Sequence, residues 1–472
     1  RIQMRTTIKN TFNKSFLQNS KKSFSDYNAQ VEKEIKKICQ QNTVYSWSAS
    51  NKVNPIAIKN CKGSYMWDWS GKKYMDFNSG LMCSNLGHEH PKVIQAIKDQ
   101  LDTLSFAAPQ HATQIRAEAS QAIVNELPGD LNKIFFCLGG AEANENGIKF
   151  ARQYTKRHKI MSRYRSYHGA THGSMMLTGD QRRWVNEPGM GGVIRTFPTL
   201  KYRCPLYEKG MSDNEYAQKL VEIMEFQLKY ENPESFAAVY LEPIVGSNGL
   251  IIPPGDYMQR VRKLCDKYGI LMVCDEVMTG FGRTGEMFAV NHWDVVPDIL
   301  TSAKGLTSAF VPLGMCAVRE HIMKAFEDTP FSGGLTYQAH PVSLAAAKAC
   351  MEIYKEEKIV ENSKNMGKVM FSMMEDLKKK HPSVGDVRGG LGLFGAVELV
   401  KNRETKEPLA EYPGTSEAMG EFMGFLRNNG VYTLAVVNYF MACPPLNTTE
   451  KELKETFEVL DRALDITDKY VV

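Results

Sequence analysis

A lysine follows a short apolar run in the segment Asp298-Ile-Leu-Thr-Ser-Ala-Lys-Gly-Leu-Thr307. The run Ile299–Ser302 is typical of a buried strand, and the small neighbours of Lys304 leave space for a bulky group to approach its amine. An amine held near an apolar core has a lowered pKa, which favours Schiff-base formation with a carbonyl cofactor. Many lysines at strand ends are simply solvated. The rest of the chain must therefore decide between a nucleophilic and a solvated lysine.

Short apolar runs of the same kind alternate with helical patterns through the middle of the chain. The runs occupy residues 133–138, 159–162, 236–241, 270–274, 299–302 and 313–318, and helices are predicted at 142–155, 214–229 and 256–268. This alternation predicts a mostly parallel sheet with helices on both faces. In such α/β sheets, ligands bind at the carboxyl ends of the strands.

The segments on either side predict a smaller α/β domain built from both chain ends. Residues 63–77 alternate around Ser70-Gly71, which is typical of a hairpin, and Pro91 begins a helical pattern. We predict an N-terminal extension at 1–44, the first part of the small domain at 45–90, a large domain at 91–357 and the rest of the small domain at 358–472.

The composition excludes several classes of protein. Among 472 residues, 43% are hydrophobic and 24% charged, and no apolar run approaches the length of a membrane span. Apart from the first 25 residues, basic and acidic residues are nearly equal in number, which argues against a nucleic-acid-binding surface. The ten cysteines show no CxxC spacing, and no thiol or acid cluster accompanies the histidines, so we predict no metal site.

The first 25 residues have a different character from the rest. They contain six basic residues and no acid, and they are rich in serine and threonine. This composition is typical of a mitochondrial transit peptide and predicts a location in the mitochondrial matrix. A basic tail without a targeting role is the alternative.

Four loops at predicted strand ends carry groups that suit a planar, charged ligand. Two glycines in Leu138-Gly-Gly-Ala-Glu-Ala-Asn144 precede a helix, and such a turn can bind phosphate, although an ordinary turn is the alternative. Tyr167 offers an aromatic face. Asp275 ends a fully apolar strand and needs a cationic partner, such as a protonated ring nitrogen. With Lys304, these groups match the requirements of pyridoxal 5'-phosphate (PLP).

These residues lie in blocks that resemble the class III PLP-dependent aminotransferases, which have fold type I. The resemblance covers residues 45–470 and rests on Leu241-Glu-Pro-Ile244, Asp275-Glu-Val-Met-Thr-Gly-Phe-Gly-Arg-Thr-Gly285, Pro297-Asp-Ile-Leu-Thr-Ser-Ala-Lys-Gly305 and Gly334-Leu-Thr-Tyr-Gln-Ala-His-Pro341. It implies an α/β fold with a mostly parallel seven-stranded sheet in the large domain. It also implies a homodimer with the active site at the interface.

The resemblance implies that Lys304 and Asp275 are catalytic. Lys304 is expected to bind the PLP aldehyde and to move a proton during the reaction, while Asp275 keeps the pyridine nitrogen protonated. Thr336 is expected to reach the phosphate of the second subunit's cofactor. The cofactor-binding residues implied in this way are Gly140, Ala141, Tyr167, His168, Glu242, Asp275, Val277, Lys304 and Thr336.

The implied substrate residues are Trp47 and Tyr439. Relatives that act on ornithine or 4-aminobutyrate use a glutamate that gates an arginine, whereas here Ser247 and Tyr439 stand at these positions. We therefore predict transfer from an ω-amino acid or amine, such as taurine or β-alanine, to a small 2-oxo acid such as pyruvate. The alternatives are a lyase or mutase on the same fold and a structural subunit of a larger mitochondrial assembly.

Overall fold

The computed structural model describes residues 24–472, with side chains from residue 28. The proposed transit peptide therefore falls almost entirely outside the described residues. A helix, α1 (Phe24–Asn42), begins the described part and was not predicted from the sequence. Its signal was the spacing of Val31, Ile35 and Ile38 along one helical face, and Val31 is buried.

A seven-stranded sheet forms the centre of the protein, as the family resemblance implied. Its strands are β4 (Leu131–Cys137), β5 (Lys159–Arg163), β6 (Val193–Thr196), β7 (Phe236–Leu241), β8 (Leu271–Asp275), β9 (Ile299–Ser302) and β10 (Gly314–Arg319), in the order β4-β10-β9-β8-β7-β5-β6. Only β10 runs antiparallel to its neighbours. The edge strand β6 was missed because it is only partly buried and contains Arg195, so its apolar signal is weak.

Helices cover the sheet and fill the spaces between strands. After α1 they are α2 (Ser79–Met82), α3 (Pro91–Thr103), α4 (Gln114–Val124), α5 (Gly140–Thr155), α6 (His172–Leu177), α7 (Asp213–Tyr230), α8 (Tyr257–Tyr268), α9 (Glu320–Lys324), α10 (Pro341–Glu356), α11 (Ile359–Lys380), α12 (Glu417–Asn428) and α13 (Glu450–Asp468). None of the described helices combines the length and the apolar character that crossing a membrane requires.

Two smaller sheets complete the fold. One, in the order β1-β2-β3-β14, contains β1 (Ile58–Lys62), β2 (Tyr65–Asp68), β3 (Lys73–Asp76) and β14 (Val431–Tyr432). The other contains β11 (Val384–Arg388), β12 (Gly395–Asn402), β15 (Ala435–Val436) and β16 (Tyr439–Ala442), with β13 (Glu407–Pro408) paired to β12. Because β14 pairs in parallel with β3, both chain ends contribute to one sheet, which confirms the predicted fold class. The domain boundaries stay predictions.

A buried carboxyl group, that of Glu276, follows β8 directly. It accepts hydrogen bonds from the Val290 backbone N–H, at 2.9 Å, and from the Thr279 hydroxyl. Burial raises the pKa of Glu276 to about 7 despite these donors. The folded protein therefore binds this proton more tightly than the unfolded chain does.

This raised pKa predicts that the free energy of unfolding decreases as the pH rises. The contribution is fully present below about pH 4.5 and is lost by about pH 7, and it amounts to about 3 kcal/mol. In Glu276→Gln this decrease should be absent, because the amide stays neutral. Urea denaturation between pH 5 and pH 8 measures the effect. Glu404→Gln is the exposed control and should match the wild type, and an unchanged pH profile in Glu276→Gln would contradict the prediction.

Candidate active site

The carboxyl ends of β4, β7, β8 and β9 open on a cavity of about 1730 Å³. This is the sheet edge at which α/β proteins bind ligands. Residues predicted from the sequence line it together, although they come from distant segments: Trp47, Gly140, Ala141, Tyr167, His168, Glu242, Asp275, Val277, Lys304 and Tyr439. Thr336 is absent from the lining and is exposed on the surface of the chain. Its predicted reach into a second subunit stays a prediction.

Lys304 lies in a tight turn immediately after β9. Its backbone has a φ of +40°, a conformation that costs a non-glycine residue ~1–3 kcal/mol and that recurs at functional sites. Among the described residues, none forms a hydrogen bond or an ion pair with its amine. Burial lowers the pKa of Lys304, although the nearby Cys83, Asp275 and Glu242 act in the opposite direction. The amine is therefore disposed to lose its proton and act as a nucleophile.

Hydrogen bonds hold the Asp275 carboxylate at the end of β8. Its Oδ1 accepts the Val277 N–H at 2.9 Å, and its Oδ2 accepts the Asn144 side-chain amide at 2.7 Å. His168 Nδ1 lies 2.8 Å from the same Oδ2. Only 3% of Asp275 is exposed, so these contacts, rather than water, stabilise its charge. The carboxylate is thus prepared to receive a cationic ring nitrogen.

Asn144 is a supporting residue that sequence reasoning missed. Its amide oxygen accepts hydrogen bonds from Thr301, at 2.6 Å, and from Tyr240, at 2.9 Å. These two bonds fix the orientation of the amide and direct its N–H₂ group at Asp275. The signal available in the sequence was a set of polar residues inside two otherwise apolar strands.

The first turn of α5 presents backbone N–H groups to the cavity. Gly139, Gly140 and Ala141 line it, and N–H groups in a first helical turn have no partner within the helix. A Cβ added to Gly140 would lie 2.6 Å from Val277 Cγ1, so only glycine permits this packing. A helix start of this kind binds phosphate groups.

Tyr167 and Glu242 are held together beside this phosphate cradle. Glu242 Oε1 accepts the Tyr167 N–H at 3.0 Å, and Oε2 accepts the Gly246 N–H at 2.8 Å. Burial raises the pKa of Glu242. Trp47 meets the Tyr167 ring edge-on, with the ring centroids 6.3 Å apart. The cavity thus combines an aromatic face, an amine, a carboxylate and a phosphate cradle, and this set fits PLP.

Two arginines at the cavity were not predicted from the sequence. The Arg182 guanidinium lies 3.7 Å from the centroid of the Tyr167 ring, and its Nη2 donates to Ser247 Oγ at 3.0 Å. Its Nε donates to Asp180 Oδ2 at 2.9 Å. Arg165 Nη2 donates to the Asn248 carbonyl at 3.0 Å. Guanidinium groups therefore lie beside Ser247 and Asn248, and that of Arg182 is already paired with the Asp180 carboxylate.

Tyr439 has a different role from a charged substrate anchor. It is 3% exposed, and its hydroxyl donates to the Ser247 carbonyl at 2.7 Å. The predicted substrate residue thus lines the cavity and supports the turn that Arg182 contacts.

Comparison with known proteins agrees with this site. The family model described as class-III aminotransferase matches residues 47–464. A solved taurine:2-oxoglutarate aminotransferase from Bifidobacterium kashiwanohense, in complex with PLP and glutamate, is 40% identical with a TM-score of 0.90, covering 93% of this chain and 99% of that one.

Two curated relatives are similar over most of their length. The uncharacterized aminotransferase YhxA of Bacillus subtilis is 34% identical over 455 residues, which cover 92% of this chain and 98% of that protein. The taurine–pyruvate aminotransferase of Rhodobacter capsulatus is 31% identical over 432 residues, which cover 87% and 92%.

Proposed function

Because the chain belongs to the class-III aminotransferases, which bind PLP, we propose that it moves the amino group of an anionic ω-amino acid, such as taurine or β-alanine, to a small 2-oxo acid. Aminotransferase activity follows from the family, whereas the choice of donor is the proposal. The names of the two taurine aminotransferases among its relatives support this choice.

The observation that carries the proposal is the position of Arg182. Its Nε donates a hydrogen bond to Asp180, and its Nη2 donates one to Ser247. Among the described residues, none accepts a hydrogen bond from its Nη1. The group lies against Tyr167, whose ring also lines the cofactor cavity. An amine that reacts near Lys304 can therefore place a carboxylate or sulfonate at the other end of its chain on Arg182.

Different residues of the chain would carry out different parts of the reaction. Bound PLP supplies an electron sink for the substrate carbon that carries the amine. Lys304 Nζ would accept the proton from this carbon and later return a proton. Asp275 would keep the ring nitrogen protonated, and Tyr167 with Val277 would hold the ring. Trp47 lines the same cavity as part of its substrate wall.

An amine panel tests the proposed donor. Taurine and β-alanine should each convert the PLP form of the enzyme to the pyridoxamine form, with a loss of the visible absorption band. Propylamine lacks an anionic end and should react with a lower kcat/KM. If propylamine and other uncharged amines react as well as taurine, recognition of an anionic donor is wrong.

Arg182→Gln should lower kcat/KM for taurine by about 10- to 100-fold, because a charge-assisted hydrogen bond contributes about 1.5–3 kcal/mol. The value for propylamine should change little. Single-turnover absorbance measurements give both rates. Arg462→Gln removes an exposed arginine and should leave both unchanged. Equal losses for taurine and propylamine in Arg182→Gln would instead indicate a general disturbance of Tyr167.

We also propose a homodimer in which Thr336 contacts the partner's cofactor, and a location in the mitochondrial matrix. The exposure of Thr336 on its own chain supports the first proposal. The basic, acid-free composition of residues 1–25 supports the second. Light scattering of the purified protein tests the dimer, and organelle fractionation tests the location.

A further inference from the structure

We propose that a second cavity, apart from the active site, binds a monocarboxylate with an apolar body, such as a medium-chain fatty acid. This cavity has a volume of about 430 Å³ and lies between the segment that follows β6 and strand β11. Pockets of this size hold small organic ligands. The inference goes beyond the proposed function, because the second cavity does not depend on the choice of amine donor.

One short segment contributes to the walls of both cavities. Ser247 and Asn248 line the active-site cavity, whereas Ile251 and Ile252, a few residues later, line the second cavity. Among the described residues, none lines both cavities. A ligand of the second cavity would therefore occupy a place of its own, separated from the substrate by this segment.

Apolar side chains form much of the lining of the second cavity. Three of them are buried and three are half-buried: Leu200, Ile251 and Val387, and Tyr207, Ile252 and Phe371. Such a surface suits a hydrocarbon chain or ring, because the removal of apolar surface from water is favourable. It does not suit a small, strongly hydrated ion alone, so the ligand needs an apolar body.

Two hydroxyl groups in the lining have no hydrogen-bond partner in the described part of the chain. They are those of Thr199 and Tyr202, and both oxygen atoms are buried. Thr199 as a whole is 1% exposed. Burial is the main cause that raises the pKa of Tyr202 to about 12, so this hydroxyl keeps its proton and can donate to an anion. A buried hydroxyl without a partner is costly, and a ligand oxygen removes this cost.

Lys406 adds a positive charge to the same lining. Its Nζ donates to the Tyr202 carbonyl at 2.7 Å and lies 4.9 Å from the centroid of the same tyrosine ring. No carboxylate of the described residues lies within ion-pair distance of this amine. The other lysine in the lining, Lys201, pairs with Asp213 at 2.7 Å. Lys406 is therefore the cation that remains for an anionic ligand.

The other charges in and behind the lining are already paired. Asp386 lines the cavity, and its oxygens lie 2.7 Å from Arg388 Nη1 and 3.9 Å from Lys378 Nζ. Arg388 Nη1 also donates to Glu398 at 2.6 Å, and Arg203 pairs with Glu398 as well. Three cations thus surround two carboxylates, so this group of charges does not oppose the binding of an anion.

These features together define the class of ligand. One free cation and two free hydroxyl groups match the charge and the oxygens of one carboxylate. The apolar lining matches a hydrocarbon chain attached to it. The Lys201 side chain is 42% exposed, so the cavity can be reached from solvent beside this residue.

Calorimetric titration of the PLP-loaded enzyme with octanoate, octanamide and acetate tests the proposal. Octanamide has nearly the shape of octanoate but no charge, and acetate has the charge without the chain. The dissociation constant of octanoate should be at least about 10-fold lower than that of octanamide and about 100-fold lower than that of acetate. Equal affinities of octanoate and either of the other two compounds, or no measurable binding of octanoate, would overturn the proposal.

Variants of Lys406 test the origin of the preference for the charged ligand. Lys406→Gln should remove the preference of octanoate over octanamide, and Lys406→Arg should keep part of it. Lys368→Gln changes an exposed lysine and should keep the preference in full. An unchanged preference in Lys406→Gln would show that the carboxylate binds elsewhere.

Three further variants locate the bound octanoate and guard against a folding defect in Lys406→Gln. Thr199→Val has nearly the same shape and should weaken octanoate binding by about 2- to 10-fold, because one hydrogen bond is lost. Ile252→Trp fills the cavity and should weaken octanoate and octanamide alike. Arg182→Gln alters the active-site cavity and should bind octanoate as the wild type does. If Arg182→Gln loses octanoate binding and Ile252→Trp keeps it, the acid binds in the active-site cavity and the second site is wrong.

These binding measurements do not involve an amine donor. Failure of taurine and β-alanine to react would reject the proposed donor without affecting the second site. Absence of octanoate binding would reject the second site without affecting the donor.

Discussion

Lys304→Ala should lower kcat by at least about 10⁴-fold with any amine donor that the wild type accepts. The change removes the amine that we expect to bind the cofactor aldehyde and to move the proton at the substrate carbon. The protein should still bind PLP through Asp275 and the first turn of α5. It should lack the visible absorption of the lysine-bound cofactor.

Steady-state rates, absorption spectra and thermal melting together check this prediction. Lys324→Ala removes an exposed lysine and should retain the spectrum and the rate. A small exogenous amine should restore part of the activity of Lys304→Ala, because the missing function is that of a base. An alanine variant that keeps more than about a hundredth of the wild-type kcat would show that another group moves the proton.

Asp275→Asn should lower kcat by about 10²- to 10³-fold, because removal of one partner from a buried ion pair costs about 3–5 kcal/mol. The amide cannot keep a proton on the ring nitrogen, so the ring accepts electrons less well. The fold should survive, since the Val277 N–H can still donate to the side-chain oxygen.

Rates at saturating PLP, measured beside cofactor content after dialysis, separate weak catalysis from weak binding. Asp294→Asn is a matched change at an exposed position and should behave as the wild type. If the Asp275→Asn rate returns to the wild-type value when PLP is added, the carboxylate serves only to retain the cofactor.

Much of the large domain could be predicted because its strands are buried on both faces. Phe236–Leu241 and Ile299–Ser302 are examples of such continuous apolar runs. The strands formed by these two runs begin and end where the sequence predicted. The edge strand β6 lacks this pattern, since one side of it meets no other strand. Helix α1 was not predicted because it lies in the N-terminal segment, whose basic first residues indicated a targeting peptide rather than a folded element.

The meeting of Lys304 and Asp275 at one cavity was also predictable, because both lie at the ends of predicted strands. Lys304 follows β9 and Asp275 ends β8, so the alternation of the chain places both at one sheet edge. The two arginines that line the cavity have no such signal. Arg182 lies 65 residues from Ser247 and Arg165 lies 83 residues from Asn248, and only the fold brings them to this turn.

The parallel pairing of β14 with β3 also has a consequence for the order of folding. The seven-stranded sheet uses only residues 131–319, so it can form before the end of the chain is made. Strand β3 can pair early with β2, but its other edge must wait for β14 near residue 431, and contacts between such distant segments form slowly. Tyr439 follows the same late segment and supports the turn beside Arg182. We therefore expect the cavity wall around Tyr439 and the Ser247 turn to form last during folding, after the part of the cavity that holds the cofactor. Substrate selection would then be the last property that the folding protein acquires.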